Sequence, residues 1–184
     1  MSKGMTRKTI IEAFEALAAE LERRGLKGRV FVVGGAAMVL AYSRETATRD
    51  IDAIFEPKAA VYEAARKVAA ERGLPDDWLN DSVKAFAPGE DPDQRVMFTT
   101  PSLEVAAASP EYVLAMKLLA SRVEQDAGDI RILYERCGFK TPEEGLELLD
   151  RLYPDRPKQP RTRLLLEELF GYSPNESVLP DEVE

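Results

Sequence analysis

An α/β fold, a mixed sheet flanked by helices with a helical C-terminal portion, is what this sequence predicts. Three observations lead there. Phe31-Val32-Val33 is a short apolar run halted by Gly34-Gly35, and Ala36 to Leu40 after it is good helix material. Arg49 to Phe55 then alternates polar and apolar, the period of a strand with one buried face. Helical stripes lie on both sides of this strand–turn–helix–strand unit, as expected for helices laid on a sheet.

Taken in order, Thr6 can cap a first helix, with Ile10, Phe14, Leu17 and Leu21 at helical spacing and Arg23-Arg24-Gly25 closing it. Gly28 hands over to the opening strand. Glu56-Pro57 ends the second strand. Ala59 to Arg72 reads as a helix with Val61, Ala64, Ala65 and Val68 inward, stopped by Gly73. Pro75 and two aspartates make a turn. Trp78 is expected as an apolar plug over the sheet edge, and Asn80 and Asp81 beside it are short polar groups easily aimed at a ligand. Pro88 to Asp93 is an acidic turn, Arg95 to Thr100 a strand, and Leu103 to Ala106 another.

Ser109-Pro110-Glu111 is a cap, a first-turn proline and an acid, so a helix starts there and runs to about Glu124. Within it Lys117 is set among Leu114, Met116, Leu118 and Leu119. Such a lysine buries its stem and keeps its head in water, or aims it at a phosphate. A break is expected near Gln125, with Asp126 as the cap of a new helix carrying Ile130, Leu133, Tyr134 and Cys137 inward. Capping alone would explain both Asp126 and Asp129. Thr141-Pro142-Glu143-Glu144 opens another helix. Tyr153 to Arg163 is proline-rich and basic, either a stiff connector or a contact for a nucleic-acid backbone. Leu164 to Phe170 is the last helix. The expected division is a core at 1–108, a helical portion at 109–172 and a loose acidic tail at 173–184.

Composition narrows the chemistry. The 184 residues suit one domain with a proper core. The chain has no histidine, which removes Ser-His-Asp triads and His-ligated zinc. Catalysis must rest on carboxylates, lysine, arginine or a bound metal. One cysteine, Cys137, excludes an internal disulfide and falls on an apolar stripe, so a buried structural thiol is expected. No apolar signal core opens the chain and no run spans a bilayer, so the expected location is cytoplasmic. The net charge of −8 argues against indiscriminate nucleic-acid binding, although the last twelve residues alone hold four acids and no base.

The chemistry concentrates at the diglycine and the strand after it. Glycines between a strand and a helix start let backbone N–H groups approach a ligand, and the helix N-terminus favours negative charge, so Gly34 and Gly35 suit a phosphate. Asp50 and Asp52, at i and i+2 on a strand, project from one face roughly 6–7 Å apart. Two hard oxygen ligands side by side suit Mg²⁺. Alone, Gly-Gly is an ordinary turn and Asp-Ile-Asp a solvated edge strand. Together they are equipment for moving a nucleotidyl or phosphoryl group.

Val33-Gly34-Gly35 followed by Asp50-Ile51-Asp52 resembles the signature of the nucleotidyltransferase superfamily. The spacer from Ala36 to Arg49 is slightly longer than that family shows. The resemblance implies a nucleotidyltransferase-type sheet, and a third carboxylate on a later strand, for which Glu104 between Leu103 and Val105 has the right shape. The plainer reading of Glu104 is an outward-facing acid. The segment around Asn80 also looks like one in a bacterial nucleotidyltransferase-like family. Lys117, Arg122, Asp126 and Asp129 resemble the Lys…Arg…Asp…Asp motif of AbiEii-type nucleotidyltransferase toxins. That likeness implies that Lys117 contacts the triphosphate, that Asp126 holds Lys117 or the metal, and that Arg122 supports phosphate binding.

The expected function is metal-dependent transfer of a nucleoside monophosphate from an NTP to a hydroxyl acceptor, with Asp50, Asp52 and Glu104 as metal ligands. The resemblance extends the expected partners to tRNA and a cognate antitoxin. The alternatives are an inactive nucleotide-binding or protein-interaction module of the same fold, and a scaffold that binds no nucleotide.

Overall fold

The computed structural model describes residues 4–42, 47–120, 122–157 and 159–171. Among them the order of elements is α1 (Arg7–Arg23), β1 (Gly28–Val32), α2 (Gly34–Ala41), β2 (Ile51–Glu56), α3 (Lys58–Arg72), β3 (Leu79–Asn80), a 3-10 turn (Ser82–Phe86), β4 (Arg95–Thr99), β5 (Leu103–Ala107), α4 (Pro110–Ala120), α5 (Val123–Cys137), α6 (Pro142–Leu152) and α7 (Pro160–Phe170). The acidic tail expected at 173–184 lies outside the described residues.

The strands form one sheet in the order β3-β2-β1-β5-β4. β1 runs antiparallel to β2 and parallel to β5, β3 joins β2 in parallel, and β4 closes the other edge antiparallel to β5. This is the mixed sheet with flanking helices that the sequence predicts. Register sorts the side chains by period two. Val30, Val32, Ala53, Phe55, Val105 and Ala107 share the face packed under α1 and α3 and are buried. Arg29, Phe31, Asp52, Ile54, Glu56 and Glu104 share the other face. Tyr112 of α4 meets Phe31 there edge to face, with ring centroids 5.3 Å apart.

Local signals explain most boundaries. The Thr6 side chain accepts from the Thr9 N–H at the start of α1. Gly73 and Gly138, both left-handed, stop α3 and α5. Trp78 is fully buried at the β3 edge, and its Nε1–H donates to the Ala65 carbonyl at 2.9 Å. Ser109 caps α4, and its own N–H donates to the buried Asp91 carboxylate at 2.6 Å. The Thr141 N–H donates to Glu144 at 2.8 Å to open α6. Burial pushes the Cys137 thiol up to about 12, as suits a structural cysteine.

Two boundaries depart from expectation. The break in the long C-terminal helix comes at Arg122, not near Gln125, so Asp126 is inside the first turns of α5 and caps nothing. Pro160 opens α7, four residues before the expected start, so the basic stretch is a connector only as far as Gln159. α6 and α7 pack on each other, with Phe170 stacked on Tyr134 of α5 at 3.8 Å. No helix of the described residues is long and apolar enough to cross a membrane.

Candidate active site

The site forms where β1 ends and β2 begins. The Val33 N–H donates to the Asp52 carbonyl at 3.0 Å, which places Asp52 level with the turn out of β1. Gly34 then takes φ +59, a left-handed conformation that suits glycine. A Cβ there would stand 3.5 Å from Asp52 Oδ2, an ordinary contact distance, so the carboxylate faces the open side of Gly34. Gly34 and Gly35 open the first turn of α2. Val33 before them supplies no side-chain cap, and the first N–H groups of a helix have no partner within it.

Asp50 stands beside Asp52 just before the strand. Asn80, paired with Asp52 across β2 and β3, reaches Asp50 Oδ2 with its side-chain amide at 3.5 Å. Ser82 fixes that amide: its Oγ donates to Asn80 Oδ1 at 2.6 Å and its N–H at 3.2 Å. Burial, then the charge of Asp50, raises the Asp52 pKa, while Asn80, Ser82 and the Arg122 charge pull it the other way. Asp50 and Asp52, adjacent and half-buried, are the carboxylates here that could hold a cation.

The structure therefore brings Gly34, Asp50, Asp52 and Asn80 together and sets Arg122 close enough for its charge to act on Asp52. Ser82 belongs to neither sequence motif. Its signal was its place two residues after Asn80, the reach of a side-chain turn. Asp81 is engaged elsewhere, held by Lys58 Nζ at 2.5 Å.

Glu104 is not brought to the pair, which corrects the expectation of a third sheet ligand. It is level with Arg29 on β1, whereas Asp52 is level with Val33, roughly 13 Å further along and two strands away. Glu104 is bonded instead to Arg29 at 3.3 Å. Lys117 and Asp126 are brought to each other. The ammonium lies 2.6 Å from Asp126 and 2.8 Å from Asp129, with all three residues buried. The head of Lys117 is thus not in water. Asp126 and Asp129 grip it rather than cap a helix.

Among the described residues no three His, Cys, Asp or Glu side chains gather into a group able to hold a metal. The donor set is the two aspartates. That fits Mg²⁺, which is commonly bound through one or two carboxylates and completes its shell with water and substrate phosphates.

A mixed sheet whose glycine turn faces an Asp-x-Asp strand defines a nucleotidyltransferase-type protein. Over residues 8–141 the chain matches the model of a family described as a nucleotidyltransferase of unknown function (DUF6036), and it belongs to that family. Neither among curated proteins nor among solved structures does any match it.

Proposed function

We propose that this protein transfers a nucleoside monophosphate from an NTP to a hydroxyl acceptor, with Mg²⁺ held by Asp50 and Asp52. The observation that carries this reading is the Asp52 carboxylate facing Gly34, with Asp50 two residues before it, just outside the strand. Bound there, the ion supplies Lewis-acid stabilisation of charge on the phosphates. The chain does the rest. Gly34 and Gly35 offer N–H groups to the phosphates. Asn80 orients Asp50, and Ser82 orients Asn80. Arg122 adds positive charge beside the pair, where negative charge grows during transfer. Lys117, locked between Asp126 and Asp129, fixes the α4–α5 junction that carries Arg122.

The test is incubation of the protein with Mg²⁺ and each labelled NTP, against total tRNA and small hydroxyl acceptors. Label transfer that disappears in Asp50→Ala supports the reading. Equal transfer by Asp50→Ala, or none by the wild type, overturns it. The AbiEii-like motif adds a toxin-like action on tRNA with a cognate antitoxin as partner. Growth arrest on expression, relieved by the product of an adjacent gene, would support that extension.

A second reading is favoured by one observation, the two-acid metal site. A fold that keeps the recess without a third carboxylate also suits an inactive nucleotide-binding or protein-interaction module. Tight NTP binding without Mg²⁺ and without product would favour the module.

A further inference from the structure

We propose a second nucleotide site beside the acid pair, a cavity that takes a nucleoside monophosphate group belonging to the acceptor. The cavity is about 510 Å³ and is lined by Arg122, Arg156, Arg161, Phe86, Met116 and Leu119 among others. Its role as the acceptor site rests on the transfer reading above, while its affinity for a nucleoside monophosphate does not.

The guanidiniums are the first argument. Among the described residues none of the three is ion-paired with a carboxylate. Arg156 donates to the Ala85 carbonyl at 3.2 Å and Arg161 to the Ala120 carbonyl at 3.4 Å. Neutral carbonyls hold these groups in place without cancelling their charge. Three uncancelled guanidiniums around one hollow, in a chain of net charge −8, call for an anion. Their planar forks match phosphate oxygens.

The apolar floor is the second argument. A bare phosphate needs no Met116, no Leu119 and no Phe86, which is 55% exposed. A base or ribose does. Arg156 stands over the Phe86 ring at 5.9 Å, so one end of the hollow is an aromatic–guanidinium platform of the kind on which bases stack. The volume lies in the range of a small-ligand pocket.

Position decides between donor and acceptor. No residue of α2 lines the cavity, so it is not the diglycine end of the site. The 3-10 turn joins the two regions: Ser82 at its start holds Asn80, whose amide reaches Asp50, and Val83 and Phe86 of the same turn line the hollow, as does Arg122. A ligand held here is therefore beside the place of transfer. Its hydroxyl oxygen bonds to the α-phosphorus of the NTP, the bond from that phosphorus to the pyrophosphate oxygen breaks, and the hydroxyl proton passes to water. A free nucleoside monophosphate and the terminal nucleotide of an RNA strand carry the same recognition chemistry.

The experiment is a binding titration on the full chain. The probes are the four nucleoside 5′-monophosphates, a short single-stranded oligoribonucleotide, and a non-hydrolysable NTP analogue with Mg²⁺. The proteins are the wild type, Arg161→Gln, Arg156→Gln/Arg161→Gln and Asp52→Asn, with thermal melts to check folding. Arg161→Gln alone removes one contact to a carbonyl and keeps the measurement decisive should the double variant unfold. The expected result is that a monophosphate or the oligoribonucleotide binds wild type and Asp52→Asn alike. Either arginine variant should weaken it about tenfold or more, the size of one lost charge-assisted contact. The NTP analogue should be unaffected by the arginine changes and weakened by Asp52→Asn. Preference for the oligoribonucleotide identifies a strand end, and equal affinity a free mononucleotide. Mutual competition of monophosphate and NTP analogue, with both weakened by the same substitutions, would overturn the proposal, as would no binding of either acceptor probe. Monophosphate binding without any NTP binding would leave the second site standing and sink the transfer reading.

Discussion

Lys117 donates to Asp126 at 2.6 Å across the break between α4 and α5, and the same ammonium meets Asp129 at 2.8 Å. One cation shared by two buried carboxylates fastens the second helix to the first. Lys117→Met should therefore act on stability. It leaves Asp126 buried without its ammonium and takes that ammonium from Asp129 as well, at a cost of about 3–5 kcal/mol. Urea denaturation measures it, and adding Asp126→Asn to Lys117→Met should recover part of the loss. A Lys117 that served only the triphosphate would give the opposite pattern, with weaker NTP binding at unchanged stability.

Asp52 should show a trade between stability and function. Its pKa is raised, first by burial and then by Asp50, so the folded chain holds that proton more tightly than the unfolded chain does. The associated stability is fully present below the ordinary carboxylate range and is lost as pH rises through the raised value. Above that value the charged Asp52 carboxylate thus weakens the fold. Asp52→Asn should raise Tm at pH 7 by a few degrees at most and abolish transfer. Added Mg²⁺ should raise the Tm of the wild type and leave Asp52→Asn unmoved, because only the wild type keeps both carboxylates. Glu104→Ala, a change at the far end of the sheet, should leave the Mg²⁺-induced rise intact.

Much of this arrangement is legible in residue order because it is local. Val33 to Gly35 and Asp50 to Asp52 declare a turn and a strand face through period and glycine chemistry, and β1 pairs with β2 directly. Asn80 is legible as a short polar group beside a buried tryptophan. What depends on register between distant strands is not legible. Glu104 has apolar neighbours on both sides, as a strand ligand would, yet its position along β5 relative to β1 is set by pairing that spacing does not encode. The Lys117 clasp is hidden for a related reason. Helical periodicity places Asp126 opposite Lys117 if the helix is continuous, and only a break at Arg122 turns it back. The arginine cavity joins residues from three distant stretches, so it exists only once α7 docks.

Glu20 offers a pH dependence of the opposite sign, far from the site. Its carboxylate is 6% exposed and accepts from Arg23 at 2.7 and 2.9 Å and from Arg24 at 2.6 Å. Those two guanidiniums hold its pKa down to about 2, against an ordinary value of 4.5. A depressed carboxylate contributes stability above the unfolded value, and that contribution is lost as pH falls toward the folded one. Wild type should therefore lose stability between about pH 4.5 and 2 more steeply than Glu20→Gln. Denaturation midpoints across that window decide it, and parallel curves would remove Glu20 as a cause.

Gly34 separates strain from contact at the centre of the proposed chemistry. Its φ of +59 costs a side-chain-bearing residue about 1–2 kcal/mol. The space itself is permissive, since a Cβ would meet Asp52 Oδ2 at 3.5 Å, an ordinary contact. Gly34→Ala should thus destabilise by about that strain and no more. Its effect on the site should be larger than its effect on the fold. The methyl would stand against the carboxylate proposed to hold the ion, and relief of the strain would turn the first N–H groups of α2 away from Asp52. Isothermal titration with Mg²⁺ and a non-hydrolysable NTP analogue, on protein shown by CD to be folded, should give affinity lowered about tenfold or more, as expected when one oriented donor is lost. Unchanged affinity with the expected loss of stability would mean that the turn shapes the sheet edge and leaves phosphate binding to other groups.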